Sequence, residues 1–519
     1  MLELSQLLQG LDLQKTVSKD LSALSPKSWP FGLEWLPTSA YLVGGSVRDA
    51  LLGRSSEYLD LDFVLPDQVV ATAQAIARHY KAGFVLLDAE RQIARVVFAQ
   101  GTVDFAQQVG PTLEADLRRR DFTVNAIAYN PHCDRFVDPL RGCVDLEQRQ
   151  IRMVSAENLA EDPLRLLRAY RQAAQLGFGL DPETQAVIRT LAASLQRIAA
   201  ERIQSELNYL LSSEMGTSWL TQAWADGVLA HWLPLATEQS LELIAGVDRA
   251  TILLQETHPA FAKGLLTRGL EAIAQPLAEQ PETLKQKASG SARNWLVTAK
   301  LACLLPTPPT EAERQLRQLK YSRVEVQSVT TVLRSLPILG QAADRTPAVA
   351  ETVAWLDWPL REQYLFFQTV GAAFPAVVVL AIAQGIPLEF MAPLIQRFLT
   401  PNDPVAHPQP LVSGQDLMSA LQLTAGPMIG QLLAMIQLAH AEGTVQTQAE
   451  AIQFAHTLVA QADAKARRMP EQPARSRFGC TLALICLGLA LSGFKPGAIA
   501  VPSFVSRILA LDGQRDVLK

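Results

Sequence analysis

Two carboxylates one residue apart stand in the N-terminal part of the chain. Asp60 and Asp62 alternate with apolar residues in segment 59–65, which predicts a strand with both carboxylates on one face. Carboxylates placed in this way can hold the two magnesium ions that activate an attacking hydroxyl and stabilise a leaving pyrophosphate. An Asp-x-Asp pair alone is more often a solvated strand end, so its meaning depends on the residues around it.

A glycine pair upstream supplies that context. Residues 41–43 form a short apolar stretch typical of a strand, and Gly44 and Gly45 allow a turn with exposed backbone amides. From Ser46 onward a helix is predicted, and the amino end of a helix attracts phosphate. Arg48, one turn later, can reach the same anion. The order of strand, Gly-Gly turn, arginine and Asp-x-Asp strand predicts nucleotidyl transfer.

Three later segments, 117–128, 161–171 and 201–207, carry a family resemblance. In this order, they resemble three features of class II tRNA nucleotidyltransferases: the second motif, the Glu-Asp-x-x-Arg helix that selects the nucleotide, and the segment that braces this helix. That family includes CCA-adding enzymes and bacterial poly(A) polymerases. The resemblance implies two Mg²⁺ ions as cofactors, CTP and ATP as substrates, and the tRNA acceptor end as partner.

Chemistry and resemblance together assign roles to single residues. Asp60 and Asp62 are the expected metal ligands, and Asp104 is either a third catalytic carboxylate or an ordinary strand-edge residue. The resemblance places Arg120, Asp121 and Asn125 around the sugar and phosphates. The full set of residues expected to bind the nucleotide is Gly44, Gly45, Arg48, Arg120, Asp121, Asn125, Asp162, Arg165, Arg168 and Arg171.

The selecting helix carries a physical argument of its own. Asp162 and Arg165 are predicted to lie one turn apart on one helix face, where an acceptor and a two-toothed donor can imitate the pairing edge of a base. Such a pair could read cytosine or adenine without a template. Alternatively, Asp162 caps the helix before Pro163, and Arg165 forms a surface ion pair. Capping does not explain why Arg165, Arg168 and Arg171 follow one another at intervals of three residues. This spacing forms a stripe of positive charge suited to binding phosphate.

Two departures from the family pattern bear on the reaction. Gln172 stands where the family commonly has an aromatic residue, which we expect to affect packing more than chemistry. Only residues 105–115 lie between the strand of Asp104 and the Arg-Arg-Asp motif. Family members that complete CCA carry a longer, basic loop at this place. The short connection resembles the CC-adding subgroup and predicts CMP addition. Full CCA addition, poly(A) addition and an inactive RNA-binding protein are the alternatives.

These residues must be positioned by a fold that we predict to be α+β, with a mixed-sheet nucleotidyltransferase head followed by an all-α neck, body and tail. The head strands are expected at 41–43, 60–65, 84–87, 93–99 and 102–105. The predicted divisions are a helical lead-in (1–38), the catalytic head (39–148), the neck with the selecting helix (149–210), the body (211–399), the tRNA-binding tail (400–465) and an apolar extension (466–519) of unassigned role. In the lead-in, Trp29, Phe31 and Trp35 are expected to pack on the head.

Composition limits the function class. The 519 residues are 49% apolar and 19% charged, as in soluble globular proteins. The net charge of −5 lacks the basic footprint of general nucleic-acid binders, so contacts with RNA must come from local arginines. The five cysteines form no Cys-x-x-Cys pair, and no cationic leader precedes an apolar run. We therefore expect reduced thiols, no structural zinc, no signal peptide and a cytoplasmic location.

The C-terminal extension allows two interpretations. Residues 478–494 carry no charge and are flanked by Arg475, Arg477 and Lys495. The length of this uncharged run is at the lower limit for a membrane span. A membrane anchor is one possibility, and a buried helix or a disordered extension is the other. No protein partner is evident.

Overall fold

A computed structural model describes residues 2–3, 23–54, 58–266, 294–305, 308–345 and 358–467. The chain divides into two compact units. The N-terminal unit comprises Met1–Leu241, Leu304–Pro306 and Arg314–Ser322, and the C-terminal unit comprises the remaining residues. The finer domain boundaries given above stay predictions.

The N-terminal unit is built on an eight-stranded mixed sheet of order β1-β8-β7-β2-β3-β6-β5-β4. Neighbours pair antiparallel except β3 and β6, which are parallel. The strands are β1 (Leu2–Glu3), β2 (Tyr41–Val43), β3 (Leu59–Leu65), β4 (Gly83–Asp88), β5 (Ile93–Val97), β6 (Gly101–Gln107), β7 (Ala128–Asn130) and β8 (Arg135–Val137). The five strands predicted for the head are confirmed.

Alternation along β3 explains how the sheet presents polar groups. Leu61, Phe63 and Leu65 are buried on one face, so Asp60 and Asp62 project from the other face. The helix α1 (Gly45–Leu51) follows β2, and α2 (Val69–Tyr80) packs against β5 through a stripe of small and branched apolar residues.

The structure describes residues 2–3 and 23–38 of the lead-in, so the helix expected in this region stays a prediction. Leu2–Glu3 pair with β8, and Pro26–Ser28 and Leu33–Trp35 form short 3-10 turns, because prolines interrupt this stretch. Residues 4–22 lie outside the described residues. The predicted packing on the head is confirmed: the Trp29 ring lies 5.2 Å from that of Phe63, and the Trp35 ring 4.4 Å from that of His79.

Short helices and a second, two-stranded sheet complete the N-terminal unit. The helices are α3 (Leu113–Leu117), α4 (Gly142–Glu147), α5 (Ala156–Glu161), α6 (Leu164–Leu176), α7 (Pro182–Leu191), α8 (Ala200–Ser212) and α9 (Gly216–Ala225). α6 ends at Gly177, whose positive φ of 68° suits the left-handed cap. The strands β9 (Gln150–Ile151) and β10 (Gly179–Leu180) pair in parallel. They were not predicted, because two residues are too few to show alternation.

Strands give way to helices after the N-terminal unit, and the α+β fold class is confirmed. The further helices are α10 (Glu238–Thr257), α11 (Pro259–Leu266), α12 (Trp295–Cys303), α13 (Pro309–Gln318), α14 (Arg323–Arg345), α15 (Leu360–Val370), α16 (Phe374–Ala383), α17 (Leu388–Leu399), α18 (Gly414–Leu421), α19 (Pro427–Ala441) and α20 (Gln448–Arg467). Among the described residues, Leu360–Ala383 is long and apolar enough to cross a membrane, but 67% of an apolar 18-residue window within it is buried inside the protein, and a buried core helix meets the same criteria. The apolar run at 478–494 lies outside the described residues.

Candidate active site

The sheet brings three carboxylates to one face. In the parallel pair of β3 and β6, Asp62 stands opposite Asp104 and Asp60 stands opposite Thr102. Burial, followed by the nearby charges of Asp60 and Asp104, raises the pKa of Asp62 to about 7, although Arg120 and Arg95 act in the opposite direction. Negative charge is therefore concentrated at this point of the sheet.

Two of these carboxylates already have protein partners. Asp104 accepts hydrogen bonds from Arg95 Nε at 2.6 Å and from Arg95 Nη2 at 2.7 Å. Asp60 accepts a hydrogen bond from Thr102 Oγ1 at 2.7 Å and stays exposed. Arg95, which sequence reasoning did not identify, therefore forms a bidentate pair with Asp104. A catalytic role for Asp104 stays a prediction.

The chemistry of the donor set fits magnesium. Across the described ranges, no group of three or more His, Cys, Asp or Glu side chains could hold a metal ion by itself. Mg²⁺ usually takes only one or two carboxylates from a protein and completes its shell with water and substrate phosphates. Asp60 and Asp62 supply such a pair. The raised pKa of Asp62 reflects burial first and then repulsion from Asp60 and Asp104, and a divalent cation would favour the charged form against both effects.

The Gly-Gly turn lies directly beside these carboxylates. Gly44 has a positive φ of 75°, and a Cβ atom at this position would lie 3.4 Å from Arg120 Nη1 and 3.5 Å from Asp62 Oδ2. A Cβ atom on Gly45 would lie 3.5 Å from Arg48 Nη2. α1 begins at Gly45, one residue before the predicted start. The turn, Arg48, Arg120 and Asp62 are thus neighbours, and their binding of nucleotide and metal stays a prediction.

Only one arginine of the Arg-Arg-Arg run faces this group. Arg120 Nη2 donates to Asp116 Oδ2 at 3.3 Å, and Asp116 is buried. The buried Asn158 amide donates at 2.8 Å to the backbone oxygens of both Arg118 and Arg120, which fixes the path of the chain. The Arg118 side chain is exposed, as expected for a solvated helix start.

Asn125 is the centre of a buried set of hydrogen bonds. Its Oδ1 accepts from Arg48 Nη1 at 2.7 Å, and its Nδ2 donates to Asp121 Oδ1 at 2.9 Å and to Gln172 Oε1 at 3.0 Å. Arg48 also donates to Asp49 through Nε and Nη2, at 2.9 and 3.0 Å. Three residues predicted to bind nucleotide, Arg48, Asp121 and Asn125, therefore share one network that joins two separate segments of the chain.

The predicted phosphate stripe on α6 is largely paired with acids. Arg168 Nε donates to Glu206 Oε1 at 3.2 Å, and Arg168 Nη1 lies 3.5 Å from Asp121 Oδ2. Arg171 forms an ion pair with the other oxygen of Glu206 and lies over the Tyr209 ring. Burial lowers the pKa of Arg171 despite this carboxylate. Glu206 and α8 thus brace the selecting helix, and phosphate binding by the stripe stays a prediction.

Asp162 lies outside the selecting helix, which corrects the predicted geometry. Its extended backbone (φ −126°, ψ 91°) caps α5, so Asp162 and Arg165 do not share a helix face. Arg202 donates to both Asp162 oxygens, at 3.2 and 2.9 Å. Burial raises the pKa of Asp162, but the hydrogen bonds and charge of Arg202, together with the Leu164 amide and the charge of Arg165, hold it below its usual range. Arg165 Nη1 donates to the Asn158 carbonyl at 3.0 Å instead of forming a surface ion pair.

Several residues of the site gave little sequence signal. Glu206 and Arg202 lie in the bracing segment, so the resemblance pointed to their neighbourhood. Asp116, Asn158 and Arg95 could not be identified as site residues, because the sequence alone does not show whether a polar residue is buried or exposed.

Family models match three parts of the chain. They are described as "Poly A polymerase head domain" (residues 40–152), "Probable RNA and SrmB-binding site of polymerase A" (177–239) and "tRNA nucleotidyltransferase domain 2" (291–455). The chain is 47% identical over 432 residues to a CC-adding tRNA nucleotidyltransferase of a Synechocystis strain, covering 83% of this chain and 96% of that protein. The chain belongs to the tRNA nucleotidyltransferase family.

Specificities differ within the tRNA nucleotidyltransferase family at lower identity. An A-adding tRNA nucleotidyltransferase of Deinococcus radiodurans is 31% identical over 437 residues, which cover 80% of this chain and 95% of that protein. The fold is shared with a Thermotoga maritima CCA-adding enzyme solved with tRNA, at a TM-score of 0.57 and 19% identity, covering 81% of this chain and 91% of that one. This nucleotidyltransferase therefore has the mixed-sheet and helical fold of the family.

Proposed function

We propose that this enzyme adds two cytidylates to the tRNA 3′ end and stops at CC. The observation that carries the proposal is the connection between β6 and α3, which comprises only residues 108–112. Its first two residues are held by hydrogen bonds: the Gln108 amide donates to the Leu65 carbonyl at 2.8 Å, and the Val109 amide to Asp116 Oδ1 at 3.0 Å. Such a turn is too short to be the long basic loop that the family resemblance associates with completing CCA. The CC-adding relative at 47% identity supports the same conclusion.

Catalysis in this proposal consists of positioning and charge neutralisation. Asp60 and Asp62 would hold Mg²⁺, which when bound lowers the pKa of the attacking 3′-hydroxyl and offsets charge on the phosphates. Gly44, Gly45, Arg48 and Arg120 orient the triphosphate of CTP. Bidentate guanidinium contacts suit phosphate oxygens better than an ammonium group does.

The base is selected at the junction of α5 and α6. Asp162 supplies the acceptor, Arg165 supplies the donor, and Arg202 sets the orientation of the acceptor through its two hydrogen bonds. Because these groups come from the protein, no nucleic-acid template is needed.

A cytoplasmic location belongs to the same proposal. Cys133, Cys143 and Cys303 are free thiols among the described residues, as expected in a reducing compartment.

The test supplies the enzyme and Mg²⁺ with tRNA transcripts ending at the discriminator base, at C or at CC, together with CTP, ATP or both. Sequencing the 3′ ends should show products that stop at CC with both nucleotides present. Products ending in CCA would refute the proposed specificity, and long adenylate tracts would indicate poly(A) addition. Asp60→Ala should abolish addition and spare tRNA binding.

A further inference from the structure

A buried glutamine on the selecting helix forms its hydrogen bond with the head, not with its own helix. Gln172 on α6 is 6% exposed, and the buried residues of that helix are mostly apolar. Burying an amide costs free energy unless it is hydrogen-bonded. Gln172 Oε1 accepts from Asn125 Nδ2 at 3.0 Å, so the bond that offsets its burial runs to the nucleotide-binding segment.

This bond helps to fix which way the Asn125 amide points. The amide nitrogen donates to two acceptors, Asp121 Oδ1 and Gln172 Oε1, while the amide oxygen faces the Arg48 guanidinium at 2.7 Å. Rotating the amide by half a turn would bring its oxygen against two acceptors and its NH₂ group against a donor. Gln172 thus provides one of the two acceptors that hold this orientation.

The orientation of Asn125 in turn affects Arg48. The Arg48 Nε and Nη2 atoms donate to its neighbour Asp49, and among the described residues it is Asn125 that accepts from Nη1. The guanidinium lies against the Gly-Gly turn, where a Cβ atom on Gly45 would be 3.5 Å from Nη2. Removing the Asn125 contact would free one edge of the guanidinium beside this turn.

We infer that Gln172 is a positioning residue for the nucleotide triphosphate. It holds Asn125, and Asn125 holds Arg48 against the phosphate-binding turn. This inference rests on the proposed phosphate contact of Arg48. It differs from the sequence-based expectation that Gln172 affects packing more than chemistry.

The test measures CMP addition as a function of CTP concentration. Gln172→Leu keeps the approximate size and removes the acceptor, so KM for CTP should rise about fivefold while kcat stays within twofold. Gln172→Glu keeps an acceptor oxygen and should restore KM to within about twofold of the wild-type value. Equal increases in both variants, or no increase in Gln172→Leu, would overturn the inference.

A matched control separates positioning from general packing. Gln315 is buried to a similar extent, at 5% exposure, and its Nε2 donates to the Trp232 carbonyl at 3.0 Å. Gln315→Leu should leave KM for CTP unchanged. A similar rise in KM in Gln315→Leu would show that loss of any buried glutamine bond has this effect, and would overturn the inference.

Arg48→Ala distinguishes a failure of this inference from a failure of the proposed function. If Arg48→Ala leaves KM for CTP unchanged, the proposed phosphate contact is wrong and the inference falls with it. If Arg48→Ala raises KM but Gln172→Leu does not, only the inference is wrong. Adding Gln172→Leu to Arg48→Ala should change KM less than twofold, and a full fivefold change would show that Gln172 acts by another route.

Discussion

Glu206 should be the most sensitive carboxylate of the helical part of the site. It is buried and balances Arg168 and Arg171, with Asp121 as the other acid of the cluster. Glu206→Gln keeps the shape, removes the charge and turns an NH₂ group toward the guanidinium groups. Two cations then face a single anion, Asp121, in a partly buried place.

The expected loss follows from the exposure of the partners. Removing one partner of a buried ion pair costs about 3–5 kcal/mol. The Arg168 side chain keeps 32% exposure, which favours the lower end of that range, about 3 kcal/mol. For a unit of this size the midpoint of thermal unfolding should fall by about 6–12 °C.

The assay is thermal unfolding followed by circular dichroism, with Glu201→Gln as the control. Glu201 lies on the same helix but is exposed, so its replacement should cost no more than about 0.5 kcal/mol. If Glu206→Gln and Glu201→Gln unfold at the same temperature, the ion-pair cluster does not hold α6 to α8, and the reasoning is refuted.

Three further outcomes are expected. Asp62→Asn should lower the rate of CMP addition on the order of 10³-fold, because the charge expected to bind the metal is lost. Binding of tRNA, measured by gel shift, should stay unchanged. Activity equal to that of the wild type would exclude Asp62 as a metal ligand. Arg202→Ala should reduce the preference for CTP over UTP by roughly three- to tenfold, because Asp162 loses the partner that orients it. The preference is measured as the ratio of the two kcat/KM values. An unchanged ratio would contradict a role of Arg202 in orienting Asp162. Asp226 accepts hydrogen bonds from the Tyr170 hydroxyl and Arg189 Nε, both at 2.6 Å, and although burial raises its pKa, these bonds lower it overall. Its stabilising effect should be complete above about pH 4 and lost as the pH falls through the folded-state pKa, so urea titrations should separate wild type from Asp226→Asn at pH 7, and the separation should shrink as the pH is lowered below about 4.

Local sequence was sufficient for the elements that carry the carboxylates. Alternation in segment 59–65 placed Asp60 and Asp62 on one face of β3, and the Gly-Gly turn before α1 followed from the conformational freedom of Gly44. The exposed Arg118 and the packing of Trp29 on the head were also predicted, the second from the large apolar side chain alone, although its partner Phe63 lies on the distant strand β3.

Contacts between distant segments could not be predicted in this way. The bond from Arg48 to Asn125 spans 77 residues, and that from Asn125 to Gln172 spans 47. The helical period placed Asp162 on the face of Arg165, but the extended backbone before Pro163 moved it off the helix. The pairing of Arg168 and Arg171 with Glu206 required the position of α8, which no local pattern contains.

The small parallel pair of β9 and β10 has a consequence for how nucleotides are read. Gly179 donates to the Arg149 carbonyl at 2.8 Å and Asp181 to the Ile151 carbonyl at 3.0 Å, so the chain entering α5 and the chain leaving α6 meet at one place. Residues 152–178 therefore form a closed loop with a fixed base. A helix tied in this way can tilt only if its base moves with it. If bases are selected at Asp162 and Arg165, as proposed above, we expect the selection to depend on rotation of these side chains, a change small enough to reset after every added nucleotide.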